Sequence, residues 1–263
     1  MEKTKGFALI TGASKGIGKE IARQLAAQGW SLLLVARSAH LLEAMKSEFE
    51  GQYKVTVHVY AVDLATPEAP GKILEFCQLN QLRIQILVNN AGFGVWDKFE
   101  KSSFEELEAM NALNVTALLR MCHTFIPLLK QNEKAWIMNV ASLGAYQPLP
   151  NMALYGAGKA YVRSFSYALR AELRSSPISV TCLSPGSVTT DFAERAGSQQ
   201  VIEANKRVTM TAEKCARIAL KAMFRGKAET IPGWYNGLGA FLTKLISTQM
   251  AAKAAGRIMH KPD

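Results

Sequence analysis

Short, almost wholly apolar runs alternate along this chain with stretches whose apolar residues recur at helical spacing. The first run, 7–10, reads as a strand and leads into a cluster of glycines. Ile17, Ile21 and Leu25 then fall on one face of a helix over about 17–28, with Gly29 as its stop. The alternation continues with a buried strand at 32–35, a charged helix over 39–49, and strands at 55–62 and 83–88. Helices are predicted over 102–113 and 115–130, a fifth strand at 135–140, a long helix over 153–174 and a sixth strand at 178–183. A polar stretch, 189–210, precedes a helix over 212–224 and a short strand at 229–231. Strands without polar alternation need cover on both faces, which implies a parallel sheet. Right-handed crossovers wind such a sheet in two directions from its middle. The expected fold is α/β: one doubly wound, Rossmann-type domain over 1–263, with seven parallel strands and helices on both faces.

The segment beyond Gly233 differs in character. Trp234, Leu238, Phe241, Leu242, Leu245 and Ile246 share one helical stripe, with Lys244, Lys253, Arg257 and Lys261 interspersed. This amphipathic tail, 234–263, is expected to pack on its own subunit or on a neighbouring one. The competing reading is a basic helix resting on a membrane surface.

Composition narrows the function classes. The chain has 263 residues, 49% hydrophobic and 20% charged, enough apolar material for a large core and no signature of disorder. Cys77, Cys122, Cys182 and Cys215 form no C-x-x-C pair and each lies in an apolar stretch, so reduced, buried thiols are expected. The four histidines show no ligand spacing, and no metal site is expected. No signal peptide is visible, and no apolar run is long enough to span a bilayer. A cytoplasmic protein is expected. The net charge of +10 suits anionic ligands such as phosphorylated cofactors or acyl thioesters, and suits equally a merely basic surface. No nucleic-acid module appears, so no nucleic-acid partner is expected.

The glycines after the first strand are the first chemical signal. Gly12, Gly16 and Gly18 stand in a G-x-x-x-G-x-G spacing around Ser14, Lys15 and Ile17. Such a turn lets the backbone approach a pyrophosphate, with a helix N-terminus behind it. At the end of the second strand, where NAD-binding folds place a carboxylate for the ribose hydroxyls, the chain reads Val35-Ala36-Arg37-Ser38. Arg37, joined by Lys15 from the glycine turn, would suit a 2′-phosphate, which favours NADP(H) over NAD(H).

Further motifs follow in order. Asp63-Leu64 comes after strand three and Asn89-Asn90-Ala91-Gly92 after strand four. Then come Asn114-Val115, Ser142, Tyr155 with Lys159, and Pro185-Gly186 with Val188 and Thr189. In this order, over about residues 6–232, they resemble the classical short-chain dehydrogenase/reductase family. The resemblance implies an NADP(H)-dependent enzyme that interconverts a carbonyl and an alcohol. A carbonyl that accepts hydride must also gain a proton, and a free tyrosine, with a pKa near 10, gives its proton up reluctantly. A neighbouring ammonium and an oxidised nicotinamide are expected to lower that value. Tyr155 and Lys159 are four residues apart on one helix face, and no other of the seven tyrosines has a lysine at that offset.

By resemblance, Tyr155 is the general acid/base and Ser142 polarises the substrate carbonyl. Lys159 binds the nicotinamide ribose, and Asn114 holds a water that relays protons to Lys159. The cofactor set comprises Gly12, Ser14, Lys15, Gly16, Ile17, Gly18, Arg37, Asp63, Leu64, Asn90, Ala91, Gly92, Tyr155, Lys159, Pro185, Gly186, Val188 and Thr189. Asp63-Leu64 contacts the adenine, and Asn90 to Gly92 floor the cofactor cleft. Thr189 holds the nicotinamide carboxamide or the pyrophosphate. Two mild departures are Ala141 and Gly158, positions often held by serine or another small residue in the family. Gly158 costs about 1 kcal/mol of helix propensity and suggests close packing against the cofactor.

The segment 190–210 is expected to be a substrate lid. Phe93, Val95, Leu143, Tyr146, Gln147, Leu149, Met152 and Phe192 are candidate pocket residues, pointing to a partly apolar substrate such as a 3-oxoacyl thioester or another ketone. A catalytically idle NADP(H)-binding module is the alternative. Family habit implies a homodimer or homotetramer.

Overall fold

The computed structural model describes residues 5–197 and 209–259. Its first half runs β1 (Phe7–Thr11), α1 (Gly16–Ala27), β2 (Ser31–Ala36), α2 (Ala39–Tyr53), β3 (Val57–Ala61), α3 (Ala69–Leu79), β4 (Ile84–Asn89), α4 (Phe104–Asn111) and α5 (Leu118–Leu129). There follow β5 (Ala135–Val140), α6 (Ala153–Glu172), β6 (Ile178–Leu183), β7 (Val188–Thr189), α7 (Phe192–Ala196), β8 (Met210–Thr211), α8 (Ala212–Phe224), β9 (Glu229–Thr230), α9 (Trp234–Leu242) and α10 (Thr248–Ile258).

Seven strands form one parallel sheet in the order β3-β2-β1-β4-β5-β6-β9, as the apolar runs predicted. Successive side chains serve opposite faces. Leu32 and Leu34 pack with Ile21, Leu25, Leu42 and Phe49 under α1 and α2, and α8 adds Cys215 and Met223. Leu33 and Val35 pack with Ile73, Phe125, Leu129, Val162 and Leu169 under α3, α5 and α6. Strand order reverses between β1 and β4, so a cleft opens at the carboxyl ends of these strands.

Three elements differ from the sequence reading. α3 was not foreseen: Ala69, Ile73 and Cys77 make a buried i, i+4, i+8 stripe, but Pro67, Pro70 and Gly71 give its start the look of a loop. Proline is tolerated there because the first helical N–H groups have no partner within the helix. The helices expected at 102–113 and 115–130 are continuous through a π-helical turn, Ala112–Ala117. Together, Phe104–Leu129 forms a 26-residue helix containing an 18-residue window of mean hydropathy 1.3, long and apolar enough to cross a membrane although no single run suggested it. Its Met121, Cys122, Phe125 and Leu129 pack against the sheet, so it serves as a core helix. The tail does form helices, α9 and α10, but its apolar stripe is exposed rather than packed on the subunit.

All four cysteines are buried free thiols, and burial pushes Cys77, Cys122 and Cys215 up to about 12 and Cys182 up to about 11. They remain protonated and poorly nucleophilic.

The sheet edge at β9 is tied to α6 by one carboxylate. Glu229 accepts a bidentate pair from Arg163 at 3.0 and 3.1 Å, and hydrogen bonds from the Tyr167 and Ser184 hydroxyls, each at 2.8 Å. Burial acts to raise its pKa, but the bonds from Arg163, Ser184 and Tyr167 outweigh it and hold the carboxyl below its ordinary value. The stabilisation is therefore present at neutral pH and lost as pH falls through the folded-state pKa. Glu229→Ala should lower the unfolding free energy by about 2–3 kcal/mol at pH 7. In urea titrations that deficit should shrink in acid, below the carboxylate range; a deficit independent of pH would show that the carboxylate charge contributes nothing.

Candidate active site

The cofactor end is built around β1. Gly12 (φ 62°) and Gly16 (φ 56°) adopt left-handed conformations that only glycine takes cheaply. A Cβ on Gly18 would collide with the Gly12 carbonyl and lie 2.5 Å from Asn90 Nδ2. α1 starts with no side-chain cap and no acidic residue in its first turn, leaving its N–H groups and dipole available to an anion. Thr11 secures the turn: its Oγ1 donates to the Val88 carbonyl at 3.2 Å and accepts from the N–H groups of Asn90 and Ala91 at 2.9 and 3.1 Å. Asn90 Nδ2 donates to the carbonyls of Thr11 and Gly12 at 3.0 and 3.1 Å. Asn90 thus holds the glycine turn. The backbone cradle and uncapped helix fit the pyrophosphate of a dinucleotide.

At the far end of the cleft, exposed Arg37 follows β2 and Asp63 lies two residues beyond β3, its Oδ1 accepting from the Ala65 N–H at 3.0 Å. Leu64 is buried with Ala69 and Ile73. Lys15 does not stand free beside Arg37. It pairs with Asp191 at 2.7 Å, an exposed contact that raises the lysine pKa. A cation absent from the sequence reading enters from α7: the Arg195 guanidinium lies 4.1 Å over the Phe93 ring. Burial lowers its pKa, Arg37 lowers it further and Asp63 opposes, so Arg195 feels both groups across the cleft.

The catalytic end gathers on β5 and α6. Ser142 precedes a single 3-10 turn, Leu143–Tyr146, and its Oγ accepts from the Gly144 N–H at 3.0 Å. Tyr155 and Lys159 lie one turn apart on α6, 9% and 5% exposed. Lys159 Nζ donates to the Val140 carbonyl at 2.8 Å and lies 5.7 Å from the Tyr155 ring centroid. The protein's own groups do not lower the Tyr155 pKa as expected. Burial pushes it up to about 12, and the Ser142 hydroxyl draws it back only in part. Burial brings Lys159 down to about 8. Both shifts have one origin: the buried site penalises phenolate and ammonium alike. At neutral pH Tyr155 therefore holds a proton it can donate.

Asn114 lies in the π-helical turn, where such distortions often mark functional sites. Its Nδ2 donates to the Phe93 carbonyl at 2.8 Å and its Oδ1 accepts from the Phe93 N–H at 3.0 Å. That clamp was not foreseen. A Cβ on Gly92 would stand 2.7 Å from Asn114 Oδ1, so this residue must be bare. Gly158 faces Val115, whose Cγ2 would lie 3.2 Å from an added Cβ; its smallness serves helix packing rather than the cofactor. Gly186 abuts Asn236 of α9, 2.6 Å from a hypothetical Cβ, and the Pro185 carbonyl accepts from the Leu143 N–H at 2.7 Å. Val188 is half-buried and Thr189 exposed on β7, which pairs with β8.

Beside Tyr155 lies an apolar cluster. Phe93, Val95, Leu149, Met152 and Phe192 join it as expected, with the Phe192 ring 5.6 Å from that of Tyr155. Tyr146 turns away to the Arg163 guanidinium at 4.3 Å, and Leu143 and Gln147 are not part of the cluster. Trp96, Leu107, Met110, Leu154 and Met259 were missed. Met259 joins this cluster from the tail: its carbonyl accepts from Trp96 Nε1 at 3.3 Å and Asn151 Nδ2 at 2.8 Å. Of the expected lid, α7 is seen, with the Ala196 carbonyl accepting from the Trp96 N–H at 3.1 Å; residues 198–208 lie outside the described residues.

Comparison with known proteins follows the same lines. The family model for short chain dehydrogenases matches residues 6–201. The chain is similar to sulfoacetaldehyde reductase of Chromohalobacter salexigens, 36% identical over 213 residues, 79% of this chain and 83% of that one. It is similar to very-long-chain 3-oxoacyl-CoA reductase of Kluyveromyces lactis, 33% identical over 212 residues, 78% of this chain but only 61% of the relative. Among solved structures, a short-chain dehydrogenase from Sphingobium yanoikuyae in complex with NADPH superimposes with a TM-score of 0.80 at 31% identity, covering 91% of this chain and 94% of that one.

Proposed function

Since this chain belongs to the short-chain dehydrogenase/reductase family of oxidoreductases, we propose that it is an NADPH-dependent reductase of partly apolar carbonyl compounds, with Tyr155 as the proton donor. The observation that carries the reading is the buried Tyr155–Lys159 pair, with half-buried Ser142 next to it, beside an apolar cluster. Bound NADPH supplies a hydride to the carbonyl carbon. Ser142 orients the carbonyl oxygen, and Tyr155 transfers its phenolic proton to that oxygen as negative charge builds there. The phenolate left behind is stabilised by the Lys159 ammonium, which is one helical turn away. The apolar lining favours a 3-oxoacyl chain or a bulky ketone over a small anionic aldehyde.

A panel of ketones, aldehydes and 3-oxoacyl thioesters followed by NADPH absorbance tests this reading. Consumption with apolar carbonyls is expected; tight NADPH binding without turnover anywhere in the panel would leave an idle cofactor-binding module instead.

The preference for NADPH rests on Arg37, which stands where a carboxylate would select NAD. Arg37→Asp removes a charge-assisted contact of about 1.5–3 kcal/mol and adds repulsion. The ratio of NADPH to NADH affinity, read by fluorescence titration, should fall about a hundredfold. An unchanged ratio would reduce Arg37 to a surface cation.

A further inference from the structure

We propose that the outward face of α9 and α10 is a docking surface for an anionic lipid bilayer. These helices are amphipathic in the reverse of the usual sense. A helix packed on a core turns its large apolar side chains inward. Here the inward positions are small or polar: Asn236 and Ala240 on α9, Ala251 and Ala255 on α10. Asn236 is held by its own bond to the Pro232 carbonyl at 2.7 Å. The large side chains point out. Trp234 is 81% exposed, Leu245 66%, Met250 58% and Phe241 56%, with Leu238 and Leu242 near half. An apolar stripe of this extent on a folded chain marks a surface that meets something else.

The charge around the stripe says what that is. From Thr230 to Met259 there is no aspartate or glutamate, while Lys244, Lys253 and Arg257 are all exposed. The whole chain carries +10. A second copy seated on this face would bring cations against cations. Anionic headgroups would neutralise them while the apolar side chains enter the boundary of the acyl region. Trp234 and Tyr235 open the stripe, and aromatic residues of these types favour the level of the headgroups.

Vesicle co-sedimentation of the full chain tests the proposal, with phosphatidylcholine alone and with phosphatidylcholine containing phosphatidylglycerol. The protein should pellet with the anionic vesicles, at least tenfold more strongly than with the neutral ones, and be released by salt. Trp30, Trp96 and Trp136 are buried, so a blue shift of emission on adding vesicles reports Trp234. The exposed-site variant Phe241→Ser/Leu245→Ser should lose both signals with its thermal unfolding unchanged. Lys244→Gln/Lys253→Gln/Arg257→Gln should lose the anionic preference. The proposal fails if the parent stays in the supernatant with both vesicles, or if the serine variant pellets like the parent. It fails equally if that variant lowers the oligomeric mass seen by light scattering, which would make the face a contact between copies. None of these readouts depends on turnover, so the proposed enzymatic activity stands or falls separately.

Discussion

Tyr155→Phe leaves NADPH bound and stops the chemistry: kcat falls about a thousandfold, some 4 kcal/mol of barrier. The substitution deletes one oxygen from a buried ring. The ring keeps its packing against Phe192 at 5.6 Å and its position beneath the Lys159 ammonium at 5.7 Å, so fold and cofactor site persist. A buried phenylalanine carries no unpartnered hydroxyl, and no stability is lost on that account. On the proposed role, what is removed is the proton that Tyr155 retains at neutral pH, its pKa pushed up to about 12 by burial. Single-turnover reduction and NADPH titration separate the two effects. Turnover within threefold of the parent would show that another group donates the proton.

Gly18→Ala has the next largest effect and acts through shape alone. The new methyl would meet the Gly12 carbonyl and stand 2.5 Å from Asn90 Nδ2. Neither can retreat freely, since Asn90 already donates to that carbonyl and to the carbonyl of Thr11. The turn must open, and the N–H groups proposed to receive the pyrophosphate move with it. NADPH affinity should fall about a hundredfold and stability by about 1–3 kcal/mol. Gly51→Ala in α2 is the control. Nothing lies within 4 Å of its added Cβ, so helix propensity should make it neutral or stabilising by up to about 1 kcal/mol. Equal behaviour of the two variants in titration and thermal unfolding would show that the close approach at Gly18 does not matter.

The fold was largely legible because its strands are uniformly apolar and its helices keep one stripe each. Tyr155 and Lys159 were legible as a pair because helical spacing is written in the sequence. Ser142 is joined to them through a 3-10 turn and a loop with no fixed side-chain spacing, and only the order of motifs announced it. Other features were hidden for physical reasons. α3 begins with two prolines and a glycine in its neighbourhood, which mask a stripe of only three buried residues. Arg195 looks like any surface cation until α7 turns it over Phe93. The tail shows the limit of periodicity. Spacing says that one side of a helix is apolar, but not whether that side faces the protein, and here it faces out.

The Met259 carbonyl, bonded by Trp96 and Asn151, also gives the two ends of the site unequal dependence on the tail. The glycine turn closes on contacts that reach from Thr11 to Ala91, none of which involves the tail. The bonds to Met259 span 163 and 108 residues. Trp96 and Asn151 therefore depend on where α10 ends, which the glycine turn does not. A perturbation of α10 reaches the apolar cluster beside Tyr155 directly, through the Met259 carbonyl, and leaves the bonds of the glycine turn untouched.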